Sequence, residues 1–304
     1  MSNKFFMDYF KHILNSRKLS IFLKHYKSAE MDLSSIAVAY YLMLTVFPLI
    51  LIAANVFPYL NIDISDFLNF LKQNLPTNLY PSISKIVIST FSKPSGGLLG
   101  AAMLTAFWTL SKSLTSLQKA INKAYSSNKN RSFILSHLVG LGIGLIILFL
   151  VTFVLVFSTF SQTVFEVLRS HFSISNPLLE QFLNLVQPVT FIVILFALMI
   201  LYYLLPDVKI VKMRCILPGS LFTTFALLYW SSLSSKYMFH SFSRIFDVKL
   251  LSSVVIFVFI IWFIFISRIL IIGAVMNASF QEIYYGKLEA RPDSVKELIE
   301  NIKK

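Results

Sequence analysis

The stretch from Leu33 to Ile62 carries no charged residue. A bilayer core of ~30 Å is crossed by about 20 mainly apolar residues in a helix, and a run this long exceeds what a soluble core helix needs. Five more runs of this kind follow. Gly97–Leu110 ends shortly before Lys112, Ser132–Phe165 is interrupted only by the titratable His137, and Val186–Leu205 is bounded by prolines. Cys215–Ser235 opens with Leu217-Pro218-Gly219, and Leu251–Ala278 is broken only by Arg268. The expectation is an all-α polytopic membrane protein with six transmembrane helices, at about 34–58, 97–125, 133–160, 186–206, 215–235 and 251–279. Composition agrees: 56% of the 304 residues are hydrophobic and 13% charged, against roughly 25% charged in a soluble domain. So little polar surface cannot cover a water-soluble globule of this size. A soluble enzyme, a disordered chain and a disulfide scaffold are excluded together. Cys215, the single cysteine, forms no internal disulfide and says nothing of the redox compartment.

The net charge of +13 comes from 27 Lys and Arg against 14 Asp and Glu. Residues 1–30 hold six basic residues, 111–132 five, the short stretch 209–214 three, and the segment after 279 five. The intervening loops hold three, one and three. This loop-by-loop alternation puts both termini on the cytoplasmic side. It also removes nucleic acid as a partner, because the cations follow topology and gather on no recognition element.

Residues 1–30 read as a cytoplasmic or interfacial segment, not a signal peptide, since they have no continuous apolar core. The stripe Phe5, Phe6, Tyr9, Phe10, Ile13 and Leu14 has helical spacing. It suits either a helix on the membrane surface or one packed on the protein's own cytoplasmic face. The transmembrane domain is expected over 31–280, with a cytoplasmic tail over 281–304. Between 61 and 92, Ile64, Phe67, Leu68, Leu71 and Leu75, then Leu79, Ile83, Ile86, Val87 and Phe91, predict two short amphipathic extracytoplasmic helices parted by Pro76 and Pro81. Residues 161–186 look similar, with Asn176-Pro177 as a turn.

Span two is the irregular one. Its apolar part, Leu98–Leu110, is 13 residues, or about 20 Å of helix. A stripe of Leu110, Leu114, Leu117, Ile121 and Tyr125 continues beyond it. One long helix results, whose Ser111, Ser113, Ser116 and Lys119 either line a wet cavity or belong to a cytoplasmic extension with Lys112 snorkelling. Span five is similarly polar, with Thr223, Thr224 and SSLSSKY. Interrupted helices at matching places in two halves point to a transporter's binding site, though irregular packing gives the same pattern.

Arg268 stands deep inside span six. Such a charge costs about 2.5–3.5 kcal/mol at the bilayer centre and needs a partner. That partner is a helix-end carboxylate, a backbone carbonyl, water or an anionic ligand. Gly140 and Gly144 in span three allow close helix packing, and Pro48 frees a carbonyl in span one. The five histidines are scattered without metal-ligand spacing, and no nucleophile–base motif is present. No cofactor, no metal and no catalytic residues are therefore expected.

The segments SIAVAYYLMLTVFPLILI, SLTSLQKAINKAYSSNKNRSF, LPDVKIVKMRCILPGSLF and WFIFISRILIIGAVMNASF, in this order, resemble the YihY / virulence factor BrkB family over roughly residues 17–285. The marks are Ala39-Tyr40-Tyr41 with Phe47-Pro48, then Leu117-Gln118, Ala120, Asn122 and Tyr125, Leu205-Pro206 with Leu217-Pro218-Gly219, and Gly273-Ala274 with Asn277. The resemblance implies six spans, cytoplasmic ends and the inner membrane of a bacterium. Some members are linked to serum resistance and some bear an old ribonuclease BN label, for which this chain offers no nuclease chemistry. Members often have Glu where this chain has Val275, and Arg268 is not the usual residue. The resemblance further implies export or flipping of envelope lipids.

The expected function is translocation of an amphipathic or anionic substrate, a lipid above all, with Tyr40, Tyr41, Pro48, Ser113, Ser116, Lys119, Asn122, Arg268 and Asn277 along the pathway. The rival is a non-transporting scaffold or envelope-assembly factor. Expected partners are membrane lipids, the substrate, and a second copy of the chain or another envelope protein.

Overall fold

The computed structural model describes residues 17–56, 63–74, 80–92, 95–127, 140–146, 149–150, 176–242, 248–286 and 288–289. The expectations for the stripe at 5–14, most of the span at 133–160, the segment 161–175 and the charged tail lie outside these residues. The described residues form helices and no strand. They are α1 (Arg17–Ser28), α2 (Met31–Val56), α3 (Ile64–Asn74), α4 (Tyr80–Ser92), α5 (Gly96–Ala124), α6 (Asn176–Leu204), α7 (Leu217–Phe242) and α8 (Val248–Tyr285). A 3₁₀ turn at Met213–Cys215 precedes α7, and residues 140–146 are also helical.

Among the described residues, three segments are long and apolar enough to cross a membrane: Met31–Val56, Gln187–Leu204 and Phe259–Tyr285. They coincide with the first, fourth and sixth uncharged runs. At 29 and 26 residues, α5 and α7 have the length, but Ser, Thr and Lys dilute them. These are the two runs whose sequence is irregular. The α6 helix starts at Asn176, ten residues ahead of the apolar run, with Pro177 in its first turn. Proline favours that place, because its missing N–H is an orphan there anyway.

Helix α7 shows which solvent the fold suits. Its Ser220, Thr223 and Thr224 are fully buried, while Leu221, Phe225 and Tyr229 lie exposed at four-residue spacing. On α6 too, large apolar residues, Ile192 and Phe196, face outward. In water such a surface would aggregate, whereas in lipid it costs nothing. The inward hydroxyls of Ser220 and Thr224, and of Ser267 on α8, are satisfied within their own helices, as suits lipid. Ser220 Oγ donates to the Ile216 carbonyl at 2.7 Å, Thr224 Oγ1 to Ser220 at 2.8 Å, and Ser267 Oγ to Phe263 at 2.8 Å.

The chain divides into two compact units. One contains Glu30–Ala120 and Leu227–Ile271. In it α4 packs on the C-terminal half of α2, with Ala54, Phe67, Leu71 and Val87 as a shared core. Asp63 opens α3 by accepting from the Ser65 amide at 2.8 Å, a helix N-cap contact. The Ser65 bonds hold the Asp63 carboxyl below its usual range. On α5 a narrow row of small residues, Ala102, Ala106, Thr109 and Ser113, is buried while Leu104, Phe107 and Trp108 face outward.

The other unit contains Met1–Ala29, Ile121–Ala226 and Ile272–Lys304. Its α5 end closes with Ser126 in the left-handed region (φ 53), where the Ser127 amide donates to the Asn122 carbonyl at 2.9 Å. Pro206 forbids α6 from continuing past Leu204–Leu205. At the end of α8, Gly286 takes φ 83 and its amide donates to the Glu282 carbonyl at 3.1 Å, a conformation that favours glycine.

Candidate functional site

Three buried polar contacts organise the second unit. The first is reciprocal. Asn122 Nδ2 donates to Asp207 Oδ2 at 2.7 Å, and the Asp207 backbone amide donates to Asn122 Oδ1 at 2.8 Å. Both residues are 2% exposed. The pair ties the end of α5 to the turn that leaves α6, and each side chain fixes the other's orientation.

The second contact is the crossing of α7 and α8. The Gly219 amide donates to Asn277 Oδ1 at 2.7 Å. A methyl group at Gly219 would land on the Gly273 carbonyl oxygen and lie 2.6 Å from the Asn277 amide. One at Gly273 would meet the hydroxyls of Thr223 and Tyr202, which hydrogen-bond to each other at 2.9 Å. Glycines here let two backbones touch, as small residues do throughout lipid-embedded bundles.

The third contact holds α1. His25 is fully buried. Its Nδ1 donates to the Ala124 carbonyl at 2.8 Å, and its Nε2 lies 2.6 Å from Glu282 Oε2. Ser126 Oγ is 3.3 Å from Nδ1. Lys24 Nζ donates to both Glu282 oxygens at 2.8 and 3.0 Å, and Ser28 Oγ donates to the Lys123 carbonyl. Burial pushes the His25 imidazole below its ordinary pKa of 6.5, against the opposing influence of Glu282 and the Ala124 carbonyl. The first helix is thus held by the protein itself through His25.

In the first unit the counterpart is Arg268, whose Nη2 donates to Asp32 Oδ1 at 2.5 Å. Asp32 stands in the first turn of α2, so the partner is a helix-end carboxylate. The Arg268 side chain is 40% exposed and that of Asp32 84%, while Arg268 Nε is buried without a hydrogen-bond partner.

The nine sequence candidates do not gather into one cluster. Tyr40, Tyr41, Pro48, Ser113, Ser116, Lys119 and Arg268 belong to the first unit, and Asn122 and Asn277 to the second. Tyr40 is exposed and meets Tyr41 edge-to-face at 5.3 Å. Pro48 and Ser113 are buried, Ser116 is half-buried and Lys119 is exposed. Each hydrogen-bonded candidate is held from outside the set: Asn122 by Asp207, Asn277 by Gly219, and Arg268 by Asp32. Sequence reasoning missed His25, Glu282, Tyr202 and Thr223 as organising residues. Among the described residues, no three of His, Cys, Asp and Glu gather as metal ligands. Asn277 Nδ2 and Gln281 Oε1 are buried without a partner.

The residues that carry the family resemblance divide between the units, with Ala39, Tyr40, Tyr41, Phe47, Pro48, Leu117, Gln118 and Ala120 in the first. In the second unit Asn122, Tyr125, Leu205, Pro206, Gly219, Gly273, Ala274 and Asn277 are all buried. A similar protein in Bacillus subtilis (strain 168), described as a putative ribonuclease-like protein YfkH, is 26% identical over 254 residues, covering 83% of this chain and 88% of its own length. No solved structure matches the chain. The family model for virulence factor BrkB matches residues 22–297, and the chain therefore belongs to the virulence factor BrkB family of membrane proteins.

Proposed function

We propose that this chain moves an anionic, amphipathic lipid between the leaflets of a bacterial cytoplasmic membrane, using six spans with both ends in the cytoplasm. The observation that carries the reading is the exposure of Arg268. A charge inside a span normally turns toward the bundle. Arg268 instead shares a face of α8 with the exposed Ile261 and Phe265, where lipid passes. Its partner, Asp32, is itself exposed, and an exposed ion pair holds weakly, at about 0–1 kcal/mol. A lipid phosphate offers a guanidinium two parallel acceptors and competes well with such a carboxylate. The buried hydroxyls of α5, with Ser111 Oγ left without a partner, supply the polar face that a headgroup needs.

A scaffold reading has one observation in its favour. The α7–α8 crossing at Gly219 and Gly273 is packed to contact, which suits a fixed bundle. The ribonuclease-like description belongs to the relative. On this chain the buried His25 is committed to Ala124 and Glu282.

The test is reconstitution in vesicles containing fluorescent phosphatidylglycerol, with wild type beside Arg268→Gln. Transport predicts leaflet exchange well above empty vesicles and at least a tenfold loss in the variant. Wild-type exchange equal to empty vesicles, across several anionic lipids, overturns transport in favour of the scaffold.

A further inference from the structure

The turn between α6 and α7 has two faces. Leu205, Asp207, Val208, Ile210, Cys215 and Ile216 are buried. Lys209, Val211, Lys212, Met213 and Arg214 are exposed, and Val211 and Met213 present about half of their surface. The turn is held firmly. Asp207 is bound by Asn122, the Lys209 carbonyl accepts from Gln281 Nε2 at 2.9 Å, and the Lys209 amide donates to the Glu289 carbonyl at 2.8 Å. The outward side chains are therefore presented by a fixed backbone.

Two candidate spans end beside this turn. One ends at Leu204, five residues before Lys209, and the other at Tyr285. Lys212 Nζ lies 5.5 Å from the centre of the Tyr285 ring, so the turn lies against the last residues of both helices. The neighbouring Tyr284 is 60% exposed. Tyrosines at span ends occupy the headgroup level of a bilayer. Lys209 has a carboxylate nearby, Glu289 at 3.6 Å. Among the described residues no carboxylate meets Lys212 or Arg214.

We infer that the 208–214 turn is a binding surface for an anionic phospholipid leaflet, with Val211 and Met213 entering the acyl boundary and Lys212 and Arg214 taking headgroup phosphates. Alternating exposed apolar and basic residues at this depth match both layers of such a leaflet. A water-facing turn has no use for the two apolar side chains. Their place beside the last residues of two candidate spans favours lipid over a protein partner. Under the orientation proposed above, the leaflet is the inner one. The inference does not depend on transport, because a scaffold would use the same anchor.

The test uses the full-length protein in nanodiscs of mixed phosphatidylglycerol and phosphatidylcholine. A spin label is placed at Met213→Cys in a Cys215→Ala background, and lipid co-purifying with Lys212→Gln/Arg214→Gln is counted by mass spectrometry. The label should lie at the boundary of headgroup and acyl chain, reached by oxygen more than by a polar relaxant. The double variant should retain phosphatidylglycerol roughly 25-fold less selectively, at about fivefold per cation beside an anionic leaflet. Lys72→Gln/Lys85→Gln, exposed on α3 and α4, should leave selectivity unchanged. A label in water, or selectivity equal to wild type, overturns the inference, and a water-exposed label points instead to a protein partner. A protein that fails to flip lipid yet passes both measurements leaves it standing.

Discussion

Gly273→Ala should destabilise the second unit more than a single methyl group ordinarily can. The added carbon would meet the hydroxyls of Thr223 and Tyr202 and lie 3.0 Å from the Gly219 carbonyl oxygen. One obstacle is backbone, so α7 and α8 must part or shift. Overpacking of this kind costs about 1–3 kcal/mol. The shift also pulls apart the buried 2.9 Å Tyr202–Thr223 hydrogen bond, and a stranded buried polar group adds about 1–3 kcal/mol. The sum is ~3 kcal/mol or more, a large part of the ~5–15 kcal/mol that holds a protein folded. On the scaling of about 2–4 °C per kcal/mol, the melting temperature in detergent should fall by roughly 6–12 °C. Gly100→Ala is the control, since nothing lies within 4 Å of the position, and it should melt as wild type does. Thr223→Ala added to Gly273→Ala removes the nearest obstacle and should restore part of the loss. A Gly273→Ala variant melting within a degree of wild type would refute the contact argument. So would a Thr223→Ala change that only deepens the loss.

Asn122→Ala should cost about 1–3 kcal/mol, since it removes two buried hydrogen bonds, one to the Asp207 carboxylate and one from the Asp207 amide. The double change with Asp207→Ala should cost less than the sum of the singles, as coupled pairs do, and additive melting shifts would contradict the pairing. Asp32→Asn should move the melting temperature by no more than a degree or two, because Asp32 is exposed. A large drop would mean that Arg268 is structural. Burial holds His25 below 6.5 in the folded state, so the unfolded chain binds that proton more readily. Stability is then complete above pH 6.5 and declines as the pH falls below it. His25→Gln, which also loses the imidazole facing Glu282, Lys24, Ser126 and the Ala124 carbonyl, should show a flatter profile between pH 7 and 5.5, and equal slopes would exclude His25 as the source. A fluorescent protein fused after Lys304 should glow, and an alkaline phosphatase fused there should be inactive. The reverse pair of results would invert the proposed topology.

Much of this architecture was legible because lipid demands long local signals. The first, fourth and sixth runs are helices, and the stripe from Leu110 to Tyr125 marks α5 as one continuous element. The start of α6 was misread, since Asn176-Pro177 suggests a turn although proline also opens helices. Partners were not legible. Arg268 and Asp32 are 236 positions apart, and His25 and Glu282 are 257 apart. A single sequence carries no signal that pairs such distant groups. Sequence reasoning required a partner for Arg268 and named a helix-end carboxylate among the choices, but only geometry selects Asp32. Asn277, Gly219 and Gly273 were readable as marks of resemblance, while their mutual contact was not.

The inverted dress of α7 has a consequence for how this chain tolerates change. Its outward positions, Phe225 and Tyr229, are largely exposed, with Phe225 meeting one ring, Phe191, at 5.0 Å, so most oily residues should serve there and a charge should be refused. Its inward positions, Ser220 and Thr223, are completely enclosed, so bulk should be refused there even when it is oily. A saturation scan along this helix should therefore trace two interleaved profiles, one selecting for chemistry at any size and the other for size at nearly any chemistry.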